Sequence, residues 1–313
     1  MNSKEKMILP PEITEAINGI ESDTQSGATT LTKQGIQTVH LLLKKGNTSD
    51  QQILQRQIKQ TLLSLIHAQP MMASFVTYAN TILLTIEKQN LPSIQSLKKL
   101  ILAQSNTFLT SFSQANKKIS IQTLPLLTDN TTVFTYSNSS SVFEALRLAH
   151  KKGIKINVYC SESRPTDEGK QLSKTLSKQE INTTFSTDAA LFSNLAKADL
   201  ILIGADTISK EGLIHKIGTS ALACLANYHN IPIYSLSAEE KMIPATYKLP
   251  AQQTKNPREI LTNTNKQLTL SNYYFDCTPL SLITEIITQK GRKQPKEIVQ
   301  HLNTLPIHES LQA

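Results

Sequence analysis

Asp206, Lys216 and Ser137 are the residues of this chain whose types and settings best suit chemistry. Asp206 stands in Gly204-Ala205-Asp206-Thr207, directly after the apolar run Leu200–Ile203. A carboxylate at the end of a buried strand can lose its water, and its pKa then rises toward the range where it exchanges protons near neutrality. The commoner use of such an aspartate is to cap the turn after a strand. Lys216 lies in Leu213-Ile214-His215-Lys216-Ile217-Gly218-Thr219, read as a loop that ends where Gly218-Thr219 opens a helix. The first N–H groups of that helix can face an anion beside the lysine. Otherwise Lys216 is an ordinary exposed lysine, and Thr219 reads as an N-cap in either case. His215 has the type to titrate near neutrality, although a histidine beside a lysine is more often solvated or hydrogen-bonded.

Ser137 begins Ser137-Asn138-Ser139-Ser140-Ser141, just after the apolar run Val133–Tyr136. Serines there either cap the next helix or offer hydroxyls to an anion. An unassisted hydroxyl is a weak acid and a weak nucleophile, and no neighbouring residue supplies a base. The lack of glycine in this turn argues against a nucleotide-binding P-loop or a dinucleotide fingerprint. In Ser161-Glu162-Ser163-Arg164-Pro165 the Arg-Pro step makes a rigid turn, which suits an interface or a structural ion pair. Asp276 is expected to cap a helix opening near Pro279-Leu280, with Ile283, Ile286 and Ile287 on its apolar face. Cys160, Cys224 and Cys277 have no paired spacing, so a zinc site or disulfide framework is not expected. Each reads as a small buried apolar residue, and Cys160 ends a strand close enough to approach the same cleft. No metal or cofactor is expected.

These residues need elements to hold them. Apolar strands are expected at Val133–Tyr136, Ile156–Cys160, Thr183–Phe185, Leu200–Ile203 and Pro232–Leu236, with helical patterns between them. The helices follow Ser141, begin near Gly169, and cover Ala189–Ala196 and Ser220–Tyr228. This alternation predicts a parallel sheet whose ligand site lies at the carboxyl ends of the strands. Upstream, apolar residues recur at helical spacing. Ile13, Ala16, Ile17 and Ile20 follow Pro11, and Ala28, Leu31, Val39 and Leu42 run to Lys44-Lys45-Gly46, a helix C-terminal signal. Leu54 to Leu65, Met72 to Ile86, and a segment from Pro92-Ser93 through Leu97, Ile101 and Phe108 continue the pattern. The texture changes around Lys117–Asn130. The fold class is therefore α/β: a helical N-terminal domain, residues 1–125, followed by a Rossmann-like parallel-sheet C-terminal domain, residues 126–313.

A length of 313 residues suits two domains, and 39% hydrophobic residues without a run of membrane-spanning length argue against a membrane protein. The start, Met1-Asn2-Ser3-Lys4-Glu5-Lys6, lacks the apolar core of a secretory signal, so a cytoplasmic protein is expected. A net charge of +8 favours phosphorylated ligands or an acidic partner. The lysines are scattered and not interleaved with aromatics, so no specific nucleic-acid binding is expected. The last residues, His308–Ala313, are expected to fray.

Taken in order, Ser161-Glu162-Ser163-Arg164-Pro165 with Gly169, then Gly204-Ala205-Asp206, Lys216-Ile217-Gly218-Thr219 and Phe275-Asp276-Cys277-Thr278-Pro279 resemble the initiation factor 2B alpha/beta/delta family. That family also contains the ribose-1,5-bisphosphate and methylthioribose-1-phosphate isomerases. Ser26-Gly27-Ala28 and Gln69-Pro70 sit where the family has related N-terminal segments. The resemblance implies a helical domain joined to a Rossmann-like one, dimerisation through the latter, and a sugar-phosphate pocket between them. It assigns Asp206 to catalysis if the chain is an isomerase, and Gly27, Ala28, Ser137, Asn138, Ser139, His215 and Lys216 to ligand binding. Ser137 occupies the place of the isomerases' catalytic cysteine, and Ser26 and Gln69 occupy the places of two arginines that would grip phosphate.

These replacements favour a noncatalytic, initiation factor 2B-like regulatory or assembly protein. The alternative is a divergent aldose–ketose isomerase acting on a phosphorylated pentose. The implied partners are a phosphorylated sugar or nucleotide-like small molecule, a second copy of the chain, and proteins of translation-factor type.

Overall fold

The computed structural model describes residues 9–24, 26–46, 48–89, 91–262, 265 and 267–312; the charged start Met1–Lys6 lies outside them. Five helices come first: α1 (Pro11–Ser22), α2 (Ala28–Lys45), α3 (Gln51–Ala68), α4 (Ala73–Glu87) and α5 (Ile94–Thr123). Pro11 opens α1, Gly46 closes α2 after Lys44 and Lys45, and the Ser93 hydroxyl caps α5. Ile13, Ile17 and Ile20 of α1 are buried, as are Leu31, Val39 and Leu42 of α2. Helix α5 carries on through Lys117 to Thr123, so the first part of the segment where the texture changes is the last turns of a helix.

The rest alternates: β1 (Thr132–Thr135), α6 (Ser140–Lys151), β2 (Asn157–Ser161), α7 (Glu168–Lys178), β3 (Asn182–Ser186), α8 (Asp188–Ser193), β4 (Leu200–Ile203), β5 (Thr207–Ile208), β6 (Leu213–Lys216), α9 (Thr219–Tyr228), β7 (Ile233–Leu236), β8 (Phe275–Thr278), β9 (Glu285–Thr288), β10 (Gly291–Lys293) and α10 (Pro295–Thr304). Among the described residues the main sheet has seven strands in the order β10-β9-β7-β4-β1-β2-β3, parallel except for β10. Its central strands β4 and β7 are buried along their whole length. That explains why β4, Leu-Ile-Leu-Ile, reads as a continuous apolar run and not as an alternating one.

The order fixes where a ligand can sit. From β1 the chain steps outward to β2 and β3, then returns to β4 on the other side of β1, paired Val133 to Leu200. The loops after β1 and β4 therefore leave in opposite directions and open a crevice at the carboxyl edge of the sheet. The first carries Ser137 and the second carries Asp206.

The helical region and the sheet share one apolar core, in which Phe75, Ile101 and Ile119 belong to the same cluster as Val133, Leu146 and Ile287. Polar contacts clasp the two beside the crevice. The Thr207 hydroxyl donates to Met71 O and accepts from the Ala73 N–H, each at 2.8 Å, and the same N–H reaches Asp206 O.

The structure corrects several expectations. His215 and Lys216 lie not in a loop but on β6, the middle strand of a small antiparallel sheet ordered β5-β6-β8. No helix opens near Pro279. Leu280–Leu282 is a single 3-10 turn, and Ile286 and Ile287 belong to β9, which pairs with β7. Cys160 is buried, but Cys224 and Cys277 are exposed. The C-terminal segment is held and not frayed: His308 N–H donates to Asn80 Oδ1, and Leu311 is buried. Ala313 lies outside the described residues. Among the described residues no helix is long and apolar enough to cross a membrane.

Candidate functional site

A cavity of about 560 Å³ occupies the crevice. Gly27, Ala28, Ser137, Asn138, Ser139, Asp206, His215 and Lys216 all border it, together with Glu168, Lys241, Lys255 and Tyr274, which the sequence reading left out. Cys160 does not border it. Its thiol points to Thr184 O, and burial pushes its pKa up to about 12.

At the β1 end, Ser137 has a left-handed backbone, φ 71°, which a non-glycine residue adopts only when its surroundings hold it there. Its N–H is fixed to Ser163 Oγ at 2.9 Å. Its hydroxyl donates at 2.9 Å to Glu168 Oε1, at the first residue of α7. The same carboxylate accepts from the Thr166 hydroxyl and forms an ion pair of 2.8 Å with Lys216 Nζ, which also donates to Thr166 Oγ1 at 2.7 Å. Lys216 is nearly sealed, with 6% of its side chain exposed, and it sits over the Tyr274 ring. The lysine read as a free anion ligand is thus held by a carboxylate of its own chain. The serine read as lacking a base has a carboxylate on its hydroxyl, brought from 31 residues away.

The helix α9 start is occupied in the same way. Gly218, its N-cap at φ 102°, passes over the Tyr136 ring, where an added Cβ would come within 2.7 Å of the phenolic oxygen. Gly218 and Ser220 both donate their N–H to Asp276 Oδ2, at 2.7 and 3.1 Å. Asp276 therefore caps a helix, but it is α9 reached from β8, and the anion at that terminus is internal. Thr219 is not the N-cap; its hydroxyl donates to Lys216 O at 2.6 Å. With that proton committed, the 3.1 Å contact to His215 Nδ1 requires the ring to carry its proton on Nδ1 and a lone pair on Nε2. Burial, reinforced by Lys241 and Lys216, lowers His215 to about 3, so the ring is neutral. Gly204 allows the close packing there, because a Cβ would lie 2.6 Å from Ser139 Oγ and 3.3 Å from His215 Nε2. The Ser139 hydroxyl caps α6.

The β4 end differs. The Asp206 backbone is tied to Ile214 O through its N–H, but among the described residues no hydrogen bond or ion pair reaches its carboxylate. Burial raises its pKa, against the opposing pull of Lys241 and Lys216. Lys241 closes a 3-10 turn, Glu239–Lys241, and is buried. Its ammonium donates at 2.5 Å to Ala205 O, and burial lowers its pKa while Asp206 pulls it back up. The preceding Glu240 anchors this turn to α5 and to the turn between β9 and β10, accepting from Ser111 Oγ at 2.5 Å and Gln289 Nε2 at 2.9 Å.

The remaining residues read as phosphate positions have structural partners. Gln69 donates its amide to Ile20 O at 2.8 Å. The Ser26 N–H is bound to Asp23 Oδ1. Arg164 does not border the cavity; its guanidinium donates to Glu259 O at 2.8 Å, and Asp167 lies 3.9 Å away. The N-terminus of α2, at Gly27 and Ala28, borders the cavity with no side-chain cap and no acidic residue in its first turn.

The sequence matches the model of the initiation factor 2 subunit family over residues 24–295. Ribose 1,5-bisphosphate isomerase of Methanocaldococcus jannaschii is 28% identical over 74% of this chain and 75% of its own length. A putative translation initiation factor eIF-2B subunit 2-like protein of Pyrococcus furiosus is also 28% identical, over 91% of this chain and 97% of its own. In three dimensions the translation initiation factor eIF-2B of Pyrococcus horikoshii superposes with a TM-score of 0.80 at 24% identity, covering 93% of this chain and all of that one.

Proposed function

The chain belongs to the initiation factor 2 subunit family, and we propose that within it this protein is a noncatalytic regulatory or assembly member whose cavity holds a phosphorylated sugar. It acts in the cytoplasm as a homodimer with protein partners of translation-factor type. The observation that carries this reading is the Glu168 corner. The hydroxyl of Ser137, standing where the isomerases have a thiol, and the ammonium of Lys216 are both held by one carboxylate of the same chain. A serine hydroxyl so held is a poor substitute for a thiol that ionises near pH 8.5. With Gln69 tied to the backbone of Ile20 and the α9 terminus filled by Asp276, a second phosphate has no strong grip. One phosphate can still rest on the uncapped N–H groups of α2, in the cavity that Lys255 also borders.

One observation favours the alternative of a divergent aldose–ketose isomerase. The Asp206 carboxylate opens into the cavity with a raised pKa, as a proton-transfer group would. The experiment is an NMR-monitored incubation with ribose 1,5-bisphosphate and with methylthioribose 1-phosphate, beside an Asp206→Asn control. The expected result is broadened sugar-phosphate lines and no ketose. Ketose formation that disappears in the control would overturn the noncatalytic reading and establish the isomerase.

A further inference from the structure

Three lysines border the cavity, and they are held differently. Lys216 is ion-paired to Glu168, and Lys255 lies over the Tyr274 ring. Lys241 is buried, and among the described residues its ammonium has one acceptor, the neutral carbonyl of Ala205, and no carboxylate in ion-pair contact. An ammonium has three N–H groups to satisfy, so two lack a protein acceptor. A buried charge left in that state favours the neutral amine, and burial does lower this lysine's pKa. The next residue after Ala205 is Asp206, whose unpaired carboxyl borders the same cavity and holds its proton more firmly than an exposed aspartate. An amine whose proton burial loosens and a carboxyl whose proton burial holds, facing one polar cavity, are the pair of groups that imine formation uses.

We propose that Lys241 captures the open-chain form of a phosphorylated aldose as a Schiff base, with Asp206 as its acid and base. The Nζ lone pair adds to the aldehyde carbon. A C–N bond forms, the carbonyl π pair moves to oxygen, and that oxygen takes the proton of the Asp206 carboxyl while the nitrogen gives one of its own back to Asp206. The hydroxyl of the carbinolamine then leaves as water, protonated by Asp206, as the nitrogen lone pair closes C=N, and the resulting iminium N–H returns its proton to Asp206. The sum is amine plus aldehyde to imine plus water, with nothing oxidised or reduced. The inference rests on the cavity being a sugar-phosphate pocket, but not on whether the protein turns a substrate over.

The test uses the full chain with erythrose 4-phosphate, an aldose whose phosphorylated 4-hydroxyl cannot close a ring. Sodium cyanoborohydride traps the imine, and peptide mass spectrometry locates it. The expected result is a first adduct on Lys241, formed several-fold faster than the average over the other lysines at neutral pH, because burial lowers this lysine's pKa. The adduct is expected to be lost in Lys241→Arg and kept in Lys255→Arg. In Asp206→Asn the pH profile of trapping should move to lower pH, because Asp206 is what pulls the lysine's pKa back up. Labelling spread evenly over the lysines overturns the proposal, as does an adduct that persists in Lys241→Arg. If Lys241→Arg does not fold, the wild-type peptide map alone decides. Line broadening by sugar phosphates with no adduct at Lys241 overturns the imine and leaves the pocket standing. Labelling of Lys241 by glyceraldehyde but not by erythrose 4-phosphate overturns the phosphorylated class.

Discussion

At the β1 end of the cavity Ser137, Thr166, Glu168 and Lys216 satisfy one another, whereas at the β4 end Asp206 and Lys241 face the same space without a direct ion pair. Both ends pair partly buried acids with buried lysines, and each is built around a loop that leaves one of two neighbouring strands of one sheet. The difference is in what a ligand would have to displace. At the closed end it must break charge-assisted hydrogen bonds that the fold already makes, each stronger than a neutral one. At the open end the protein has already taken the desolvation cost, and a ligand that supplies hydrogen bonds or a covalent bond recovers it.

The comparison is broken most directly by Glu168→Ala. It leaves the Lys216 ammonium buried and unpaired, and losing one partner of a buried pair costs about 3 kcal/mol or somewhat more. Urea unfolding should show that loss, with the midpoint lowered and the slope unchanged. Glu168→Gln should recover part of it, because the amide oxygen still accepts from one of the two hydroxyls, Ser137 or Thr166. A Glu168→Ala protein as stable as the parent would mean that Lys216 finds another partner, and that the two ends are not different in kind.

Little of this contrast could be read from the sequence. The sheet itself was legible, because short strands such as the apolar run β4 alternate with helical patterns, and so was α2, because Lys44-Lys45-Gly46 writes its end in local chemistry. The second sheet was not. β6 pairs with β8 across a long stretch of chain, His215 opposite Asp276, and no local rule announces such a partner. Ile283, Ile286 and Ile287 match helical spacing, but β9 lies inside a parallel sheet where both faces are covered, so the period carries no signal. Asp206 and Ser137 stood out because each directly follows an apolar strand. Glu168 and Lys241 sit in charged, polar stretches, Thr166-Asp167-Glu168 and Glu239-Glu240-Lys241, that look like solvated surface until the fold turns them inward.

His215 sharpens the comparison through pH, since it lies between the two ends. Folded, it is held neutral down to about 3, while in the unfolded chain it protonates near 6.5. Between those values the unfolded state binds the extra proton, so stability falls as pH falls, by at most about 1.4 kcal/mol per unit. His215→Gln removes the titration and keeps a donor for Thr219. The difference in unfolding free energy between parent and variant should therefore narrow, or change sign in the variant's favour, by about 2 kcal/mol from pH 6 to pH 4. A constant difference over that range would place the imidazole in contact with water, and the wall between the two ends would not be dry.

The smallest expected effect is the one that most cleanly separates the two ends, because it has the opposite sign. Burial raises the Asp206 pKa above its unfolded value, so at neutral pH the folded state carries a charge that the unfolded state carries more cheaply. Asp206→Asn replaces that charge with a neutral group of the same shape and should stabilise the protein by about 1 kcal/mol at pH 7 to 8. The gain should vanish as pH falls below about 4, where the carboxyl is protonated in both states. The loss of attraction to Lys241 works against the gain, but the two groups are not in ion-pair contact and Lys241 can shed its own proton. Removing a carboxylate thus weakens the closed end and strengthens the open one. If Asp206→Asn proves destabilising, Asp206 is a structural acid like Glu168, and the cavity has no end held open for a ligand.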